Sequence, residues 1–195
     1  MDSGAVDVLT RYPVPRHRLT VEDYHRLGTA GILGEDDRVE LLEGQLVDMS
    51  PIGPRHALTI DSLTLALVRA VGDHAWVRVQ NPITLDRRSE PQPDFTVVRR
   101  PWPGYPNAHP GPDDVHLLIE VSDSSLDFDL GAKRELYARA GIREFWVVDL
   151  TSNGILVHRD PAGGQYGSVT RIEPAGVLHI AALPGVSIPA ASLFF

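Results

Sequence analysis

The stretch from residue 115 to residue 150 constrains the fold most, because it reads as strand, helix, strand in unbroken succession. "VHLLIEV" is the most continuous apolar run of the chain, the pattern of a strand covered on both faces and so placed at the centre of a sheet. "DLGAKRELYARAG" then carries apolar residues at helical spacing and closes on Gly141, and "REFWVVDL" is a second buried strand. Two buried strands joined by one helix form a right-handed parallel crossover, so the fold class is α/β.

The other elements arrange themselves around this unit. "LTVEDYHRLG" reads as a helix capped by Thr20, with Asp23 at the capping-box position. "RVELLEGQLVDMS" alternates as a hairpin that turns at Glu43-Gly44. "RHALTIDSLTLALVRAVG" has the length and spacing of a helix that starts after Pro54, stops at Gly72 and packs against a sheet. "AWVRVQNPITL" and "DFTVV" read as strands, followed by the Pro-rich "RRPWPGYPNAHPGPDD", a loop long enough to serve as a lid or binding loop. Short strands with Gly-rich turns complete the carboxyl-terminal part. The expected organisation is a loose arm over residues 1–17 and a single domain over residues 18–195, without internal repeats.

Composition removes whole classes of function. The chain has no cysteine, which excludes thiolate metal sites and cysteine nucleophiles and fits a reducing, cytoplasmic setting. No segment approaches the roughly 20 apolar residues of a membrane span, and the amino terminus lacks the pattern of an export signal. The net charge of -8 weighs against a dedicated nucleic-acid binder, for which Arg87-Arg88, Arg99-Arg100, Arg11, Arg16 and Arg18 are the local exceptions, each more readily read as solvated surface. There is no Gly-rich phosphate loop, no Gly-x-Ser-x-Gly elbow and no His-Glu-x-x-His, and the eight histidines show no metal-ligand spacing.

What remains is a set of acids at strand ends. In "PQPDF", Pro91 and Pro93 fix the backbone just ahead of a strand, and Asp94 stands at its threshold, where a turn acid is also common. Glu120 follows three aliphatic residues inside the central strand, a costly place for a carboxylate unless it is paired, protonated or bound to a metal. Glu40 in "RVELLEG" is a third such acid, for which an ordinary ion pair with Arg38 or another arginine is an equal reading. Carboxylates converging at strand ends suit Mg²⁺, a hard cation that prefers oxygen. On the following helix Asp129, Lys133 and Tyr137 recur at intervals of four, so Lys133 either snorkels to solvent or returns to the strand end beside Glu120; Asp129 either caps the helix or holds Lys133. His56 and Gln80 are accessory candidates, Asp123 and Asp127 read as loop and cap acids, and Trp102 and Tyr105 either stack on bases or pack down on the domain.

Together these residues resemble the PD-(D/E)XK nuclease superfamily, with Pro93-Asp94 and "IEVS" (119–122) as its two acidic strand motifs. The wider string is similar to the Uma-two family of restriction-endonuclease-like proteins: "RVELLEGQLVDMSP", His56, "PQPDFTVV", "LLIEVSDSS", "DLGAKRELYARAGIREFWVVDL" and "LPGVSIPAASLFF", over about residues 18 to 195. The resemblance implies a restriction-endonuclease-like core, a central mixed β-sheet flanked by α-helices, here with additional carboxyl-terminal strands. It also implies a nuclease dependent on Mg²⁺, with Mn²⁺ as substitute, acting on DNA and in many relatives as a homodimer. Ser122 stands where the superfamily places its lysine, and the resemblance moves that role to Lys133, with Asp94 and Glu120 on the metal and Glu40 as accessory acid. Two rivals remain: a catalytically inert nuclease-fold module that binds proteins, and a metal-free carboxylate pair hydrolysing glycosides. On the metal reading, Asp94 and Glu120 approach within roughly 4 to 6 Å, and removing either one relieves repulsion and stabilises the metal-free protein.

Overall fold

The computed structural model describes residues 14–34, 36–101 and 104–194; Arg11 and Trp102 lie outside the described residues. Six strands form the main sheet in the spatial order β3 (Trp76–Val79), β4 (Phe95–Val98), β5 (Val115–Ser122), β6 (Glu144–Asp149), β7 (Gly154–Ala162), β8 (Gln165–Ile172). β5 and β6 run parallel, with Glu120 opposite Val147, whereas the other neighbours are antiparallel. The apolar run of β5 is thus interior to the sheet, and every residue of it except His116 is buried. β7 and β8 form a hairpin of nine- and eight-residue strands, β7 running two residues past the "GILVHRD" run of the sequence. The strand expected over "AWVRVQNPITL" ends at Val79, because Gln80 takes a left-handed conformation at φ 49°.

The crossover between β5 and β6 is one continuous helical stretch in three pieces: α3 (Leu126–Phe128), π-helical turns over Asp129–Lys133, and α4 (Arg134–Arg139). The sequence places the start of this helix near Asp129 with unbroken α spacing. It begins three residues earlier, and its middle widens. The extra residue of a π turn is accommodated where it brings polar side chains inward, and here both Asp129 and Lys133 are buried. Gly141, at φ 81°, closes the helix in the left-handed conformation that a side chain disfavours.

Alternation along β5 assigns its side chains to two layers. Leu117 and Ile119 pack with Ile60, Leu63, Leu67 and Val71 of α2 (Pro54–Val71), which has Pro54 at its first turn and ends at Gly72. Leu118 packs on the other side with Leu136 and Tyr137 of α4. Glu120 shares the parity of Leu118 and is therefore aimed at the crossover helix. β9 (Val177–His179) and β10 (Ser187–Pro189) pair with each other, and Leu178, Ile188 and Leu193 extend the core on the α2 side.

A helix and a hairpin make up the amino-terminal part of the described chain. α1 (Val21–Thr29) carries the expected capping box between Thr20 and Asp23. β1 (Val39–Leu42) and β2 (Gln45–Asp48) make the expected hairpin, with Glu43 and Gly44 both at positive φ as a tight primed turn requires. Leu41 exchanges backbone hydrogen bonds with Glu90, which joins this hairpin to the segment leading into β4. Among the described residues no helix is long and apolar enough to cross a membrane.

Candidate active site

Because Glu120 faces the crossover helix, its carboxylate meets that helix's polar stripe. Lys133 Nζ donates to Glu120 Oε1 at 3.0 Å, and the Tyr137 hydroxyl donates to the same oxygen at 2.6 Å. Lys133 also lies 3.3 Å from Glu40 Oε1, so one ammonium bridges acids from β1 and β5. Its side chain is 7% exposed, which sets aside the snorkelling alternative. Glu40 is paired with Lys133, and its other oxygen accepts the backbone N–H of Gln92 at 3.1 Å. The nearby Arg38, close in sequence, makes no ion pair with it among the described residues.

Asp94 sits where β4 begins, held by donors from three elements. Its Oδ2 accepts the N–H of Val121 at 2.8 Å and lies 3.1 Å from His56 Nε2; its Oδ1 accepts Gln80 Nε2 at 3.2 Å. Its own N–H points at Glu120 Oε2 over 3.4 Å, so the two acids are linked through Asp94's backbone. The left-handed turn at Gln80 supports this contact: Gln80 N–H donates to the Asp94 carbonyl at 2.8 Å, and Gln92 Nε2 donates to the Gln80 carbonyl at 2.7 Å. The sequence reading does not single out Gln92, although its place between Pro91 and Pro93 fixes its backbone.

Asp129 neither caps its helix nor bonds Lys133. Its Oδ2 accepts the hydroxyls of Ser122 at 2.7 Å and Ser125 at 2.6 Å. Ser122, which stands at the superfamily's lysine position, thus ties the start of the crossover helix to the end of β5. Glu40, His56, Gln80, Asp94, Glu120, Asp129 and Lys133 line one cleft, with Tyr137 buried behind it. Asp123 also lines the cleft, 3.6 Å from Arg55. Elsewhere, Arg99 pairs with Asp114 and Arg100 with Asp73, while Tyr105 packs edge-on against Trp76 and donates to the Arg99 carbonyl.

Electrostatics inside the cleft are strongly coupled. Burial pushes the Glu120 carboxyl up to about 8; Lys133 opposes that shift, and Asp129, Asp94 and Glu40 reinforce it. Burial acts to lower the proton affinity of Lys133, but Glu120, Glu40 and Asp129 more than offset it, and the net shift is upward. The two directions conflict at neutral pH, since a protonated Glu120 would not hold the ammonium. The donors decide for the anion: an ammonium, a phenol and a backbone N–H all point at Glu120, the surroundings of an acceptor-only carboxylate. His56 is desolvated, yet its bond to Asp94 and the charges of Asp94 and Asp123 raise its proton affinity overall.

The donor set tests the fit of a metal. Asp94, Glu120 and Glu40 offer oxygen alone, the chemistry of Mg²⁺ or Mn²⁺ rather than zinc. Among the described residues Glu120 Oε2 is engaged by nothing closer than the 3.4 Å contact with the Asp94 N–H, which leaves it available as a ligand oxygen. By donor chemistry Asp94 and Glu120 would suit a hard cation, whereas Glu40 is already committed to Lys133. A different trio brings three ligand atoms within 4.8 Å of one another: His25, Glu90 and His109, a group that could hold a metal. The sequence gives no spacing signal for it.

Comparison with known proteins follows the same lines. The family model described as "Uma2: Putative restriction endonuclease" matches residues 21–191. No curated protein matches the chain. A solved structure, a "putative nuclease belonging to DUF820 from Anabaena variabilis ATCC 29413", superposes with a TM-score of 0.67 at 14% identity, covering 90% of this chain and 97% of that one. At that identity the likeness speaks for the fold, a nuclease-like α/β core with the extra strands at its carboxyl-terminal end. A family match over residues 21–191 takes in nearly every strand and helix described, the whole cleft included, and the chain belongs to the Uma2 family of restriction-endonuclease-like proteins.

Proposed function

We propose that the chain is a phosphodiester hydrolase acting on DNA, with Asp94 and Glu120 as ligands of Mg²⁺ or Mn²⁺. The observation that carries this reading is the buried Lys133 ammonium, 3.0 Å from Glu120 at the cleft that Asp94 opens into. Such a cation, when bound, polarises a phosphoryl oxygen and lowers the pKa of a bound water. Glu40 and Tyr137 act as positioning residues: Glu40 holds Lys133 from the hairpin, and Tyr137 fixes the Glu120 oxygen that the ammonium shares. Lys133 then stabilises negative charge developing on the phosphoryl group. Gln80 and His56 keep Asp94 in register, and His56, whose proton affinity is raised, adds a cationic donor beside the phosphate path. Work on both strands of a duplex as a homodimer belongs to the same reading.

A second reading, an inert nuclease-fold module, draws on one specific feature: Lys133 is already neutralised by two carboxylates. Nicking of supercoiled plasmid in Mg²⁺ separates the two. Wild type should nick; Lys133→Met should do so about 100-fold more slowly or worse, and Asp94→Asn should be inactive while melting normally in metal-free buffer. Absence of metal-dependent nicking by the folded wild type would establish the inert module instead.

A further inference from the structure

A second group of ligand-type side chains lies outside the cleft and plays no part in the chemistry above. His25 comes from α1, Glu90 from the segment ahead of β4, and His109 from the Pro-rich loop. We propose that His25, Glu90 and His109 form a second metal site, for a borderline divalent ion of the zinc class, that clamps α1 and the Pro-rich loop to the segment leading into β4.

Ligand chemistry is the first support. Two imidazoles and one carboxylate are a zinc-type set, distinct from the all-oxygen cleft. Their ligand atoms lie within 4.8 Å of one another, and tetrahedral zinc ligands at about 2.0–2.1 Å from the ion stand roughly 3.3 Å apart. His25 Nε2 and Glu90 Oε1 are now 2.6 Å apart, and the His25 side chain is 53% exposed, so it can rotate to admit an ion. The exposed side leaves a coordination position for water.

Burial and support of Glu90 are the second. Its side chain is 2% exposed, and among the described residues its ion pair is with His25 rather than with a lysine or arginine. A carboxylate this buried needs a cationic partner. Its other oxygen accepts the Thr84 hydroxyl at 2.8 Å, the kind of outer hydrogen bond that orients a metal-bound carboxylate. Thr84 also donates its N–H to the Pro110 carbonyl at 3.0 Å, which pins the residue next to His109. One threonine therefore holds two of the three ligands in place.

Glu90 is joined to Asp94 by "PQP", so an ion on Glu90 fixes the backbone that enters the acidic cleft. None of the three ligands lines that cleft, and the two sites can be filled separately.

The test uses the metal-stripped chain in excess Mg²⁺, titrated with ZnCl₂ by calorimetry and with CoCl₂ by visible absorption. One Zn²⁺ should bind per chain, Co²⁺ should give the ligand-field bands of a low-coordinate nitrogen and oxygen site, and melting should rise with Zn²⁺. His25→Ala and His109→Gln should each weaken Zn²⁺ at least 100-fold and abolish the melting shift. Thr84→Val should weaken it about 10-fold, as loss of an outer-shell partner does. Asp94→Asn should bind Zn²⁺ as wild type does, which separates this site from the cleft. Wild type taking up no Zn²⁺ above Mg²⁺, or His25→Ala binding it as tightly as wild type, overturns the proposal; because Glu90 loses its partner in His25→Ala, that variant is titrated below its melting transition in EDTA, so that its Zn²⁺ affinity is read on the folded chain.

Discussion

Lys133 reverses the sign of a mutational effect that the acids alone suggest. Converging carboxylates without a cation repel, so the sequence leads to the expectation that Glu120→Ala stabilises the metal-free protein. With an ammonium 3.0 Å from Glu120 Oε1 and a phenol on the same oxygen, the deletion instead strips Lys133 of its nearer partner and leaves the Tyr137 hydroxyl without an acceptor. Breaking a buried ion pair from one side costs about 3 kcal/mol. Urea unfolding in EDTA should show Glu120→Ala less stable by that order; a variant more stable than wild type would mean the ammonium is not engaged. Lys133→Met has the complementary signature: it leaves Glu40 and Glu120 buried without their counter-charge, so it should be destabilised in EDTA and regain part of the loss when Mn²⁺ is added. That Glu120 is a costly strand acid is readable from three aliphatic neighbours. The pairing of Glu40 is not, because Arg38 is the nearer cation in sequence and only the docking of the hairpin beside Glu90 brings Lys133 closer.

At the scale of the element, the crossover helix departs from the pattern that announces it. The continuous apolar run of β5 marks it in the sequence as a buried strand without telling which layer Glu120 faces, and a π turn differs from an α turn by one residue and leaves apolar spacing almost unchanged. Gly131 lies in that turn with open space where a Cβ would stand. Gly131→Ala should therefore stabilise by about 0.5–1 kcal/mol through the unfolded chain, read as a melting rise of roughly 1–4 °C. A fall would show that the π backbone needs glycine there. The β6–β7 pairing carries an acid-sensitive element of its own. His158, 1% exposed, has its ring stacked on Phe145 and Nδ1 3.3 Å from the Phe145 carbonyl. Burial lowers its proton affinity, a shift that the bonds to the Phe145 and Leu156 backbones partly oppose. Above pH about 6.5 it is neutral both folded and unfolded; below that the unfolded chain takes up a proton that the folded one resists, so stability falls with a slope of up to about 1.4 kcal/mol per pH unit. His158→Phe should be somewhat less stable at pH 7 for want of the hydrogen bond, yet lose less between pH 6.5 and 5. An unchanged acid limb in denaturant titrations would exclude His158 as its source.

For the molecule as a whole, charge and architecture pull against each other. A nuclease-like core sets its acidic cleft in a chain of net charge -8, and of the arginines singled out as candidate phosphate contacts, Arg99 and Arg100 are neutralised by Asp114 and Asp73. The order of the main elements is legible because each has its own period and punctuation. The convergence of His25, Glu90 and His109 is not, because residues 65 apart in sequence meet only when α1 is laid across the sheet's entry segment. If the proposed activity is right, the acids repel a phosphate backbone until a cation fills the space between Asp94 and Glu120, and binding to DNA becomes conditional on that ion. Fluorescence anisotropy with a labelled duplex should then show almost no binding in EDTA, weaker than the roughly 10⁻⁴ to 10⁻⁶ M of ordinary non-specific binders. Ca²⁺, an oxygen-seeking ion that supports binding better than turnover, should strengthen it at least 10-fold, and Asp94→Asn should remove that gain. The salt dependence in Ca²⁺ should be shallow, a log–log slope of magnitude below about 3, because few phosphates are neutralised by side chains rather than by the metal. Tight binding in EDTA with a steep slope would place the phosphate contacts on a basic surface and relieve the cleft of any part in holding DNA.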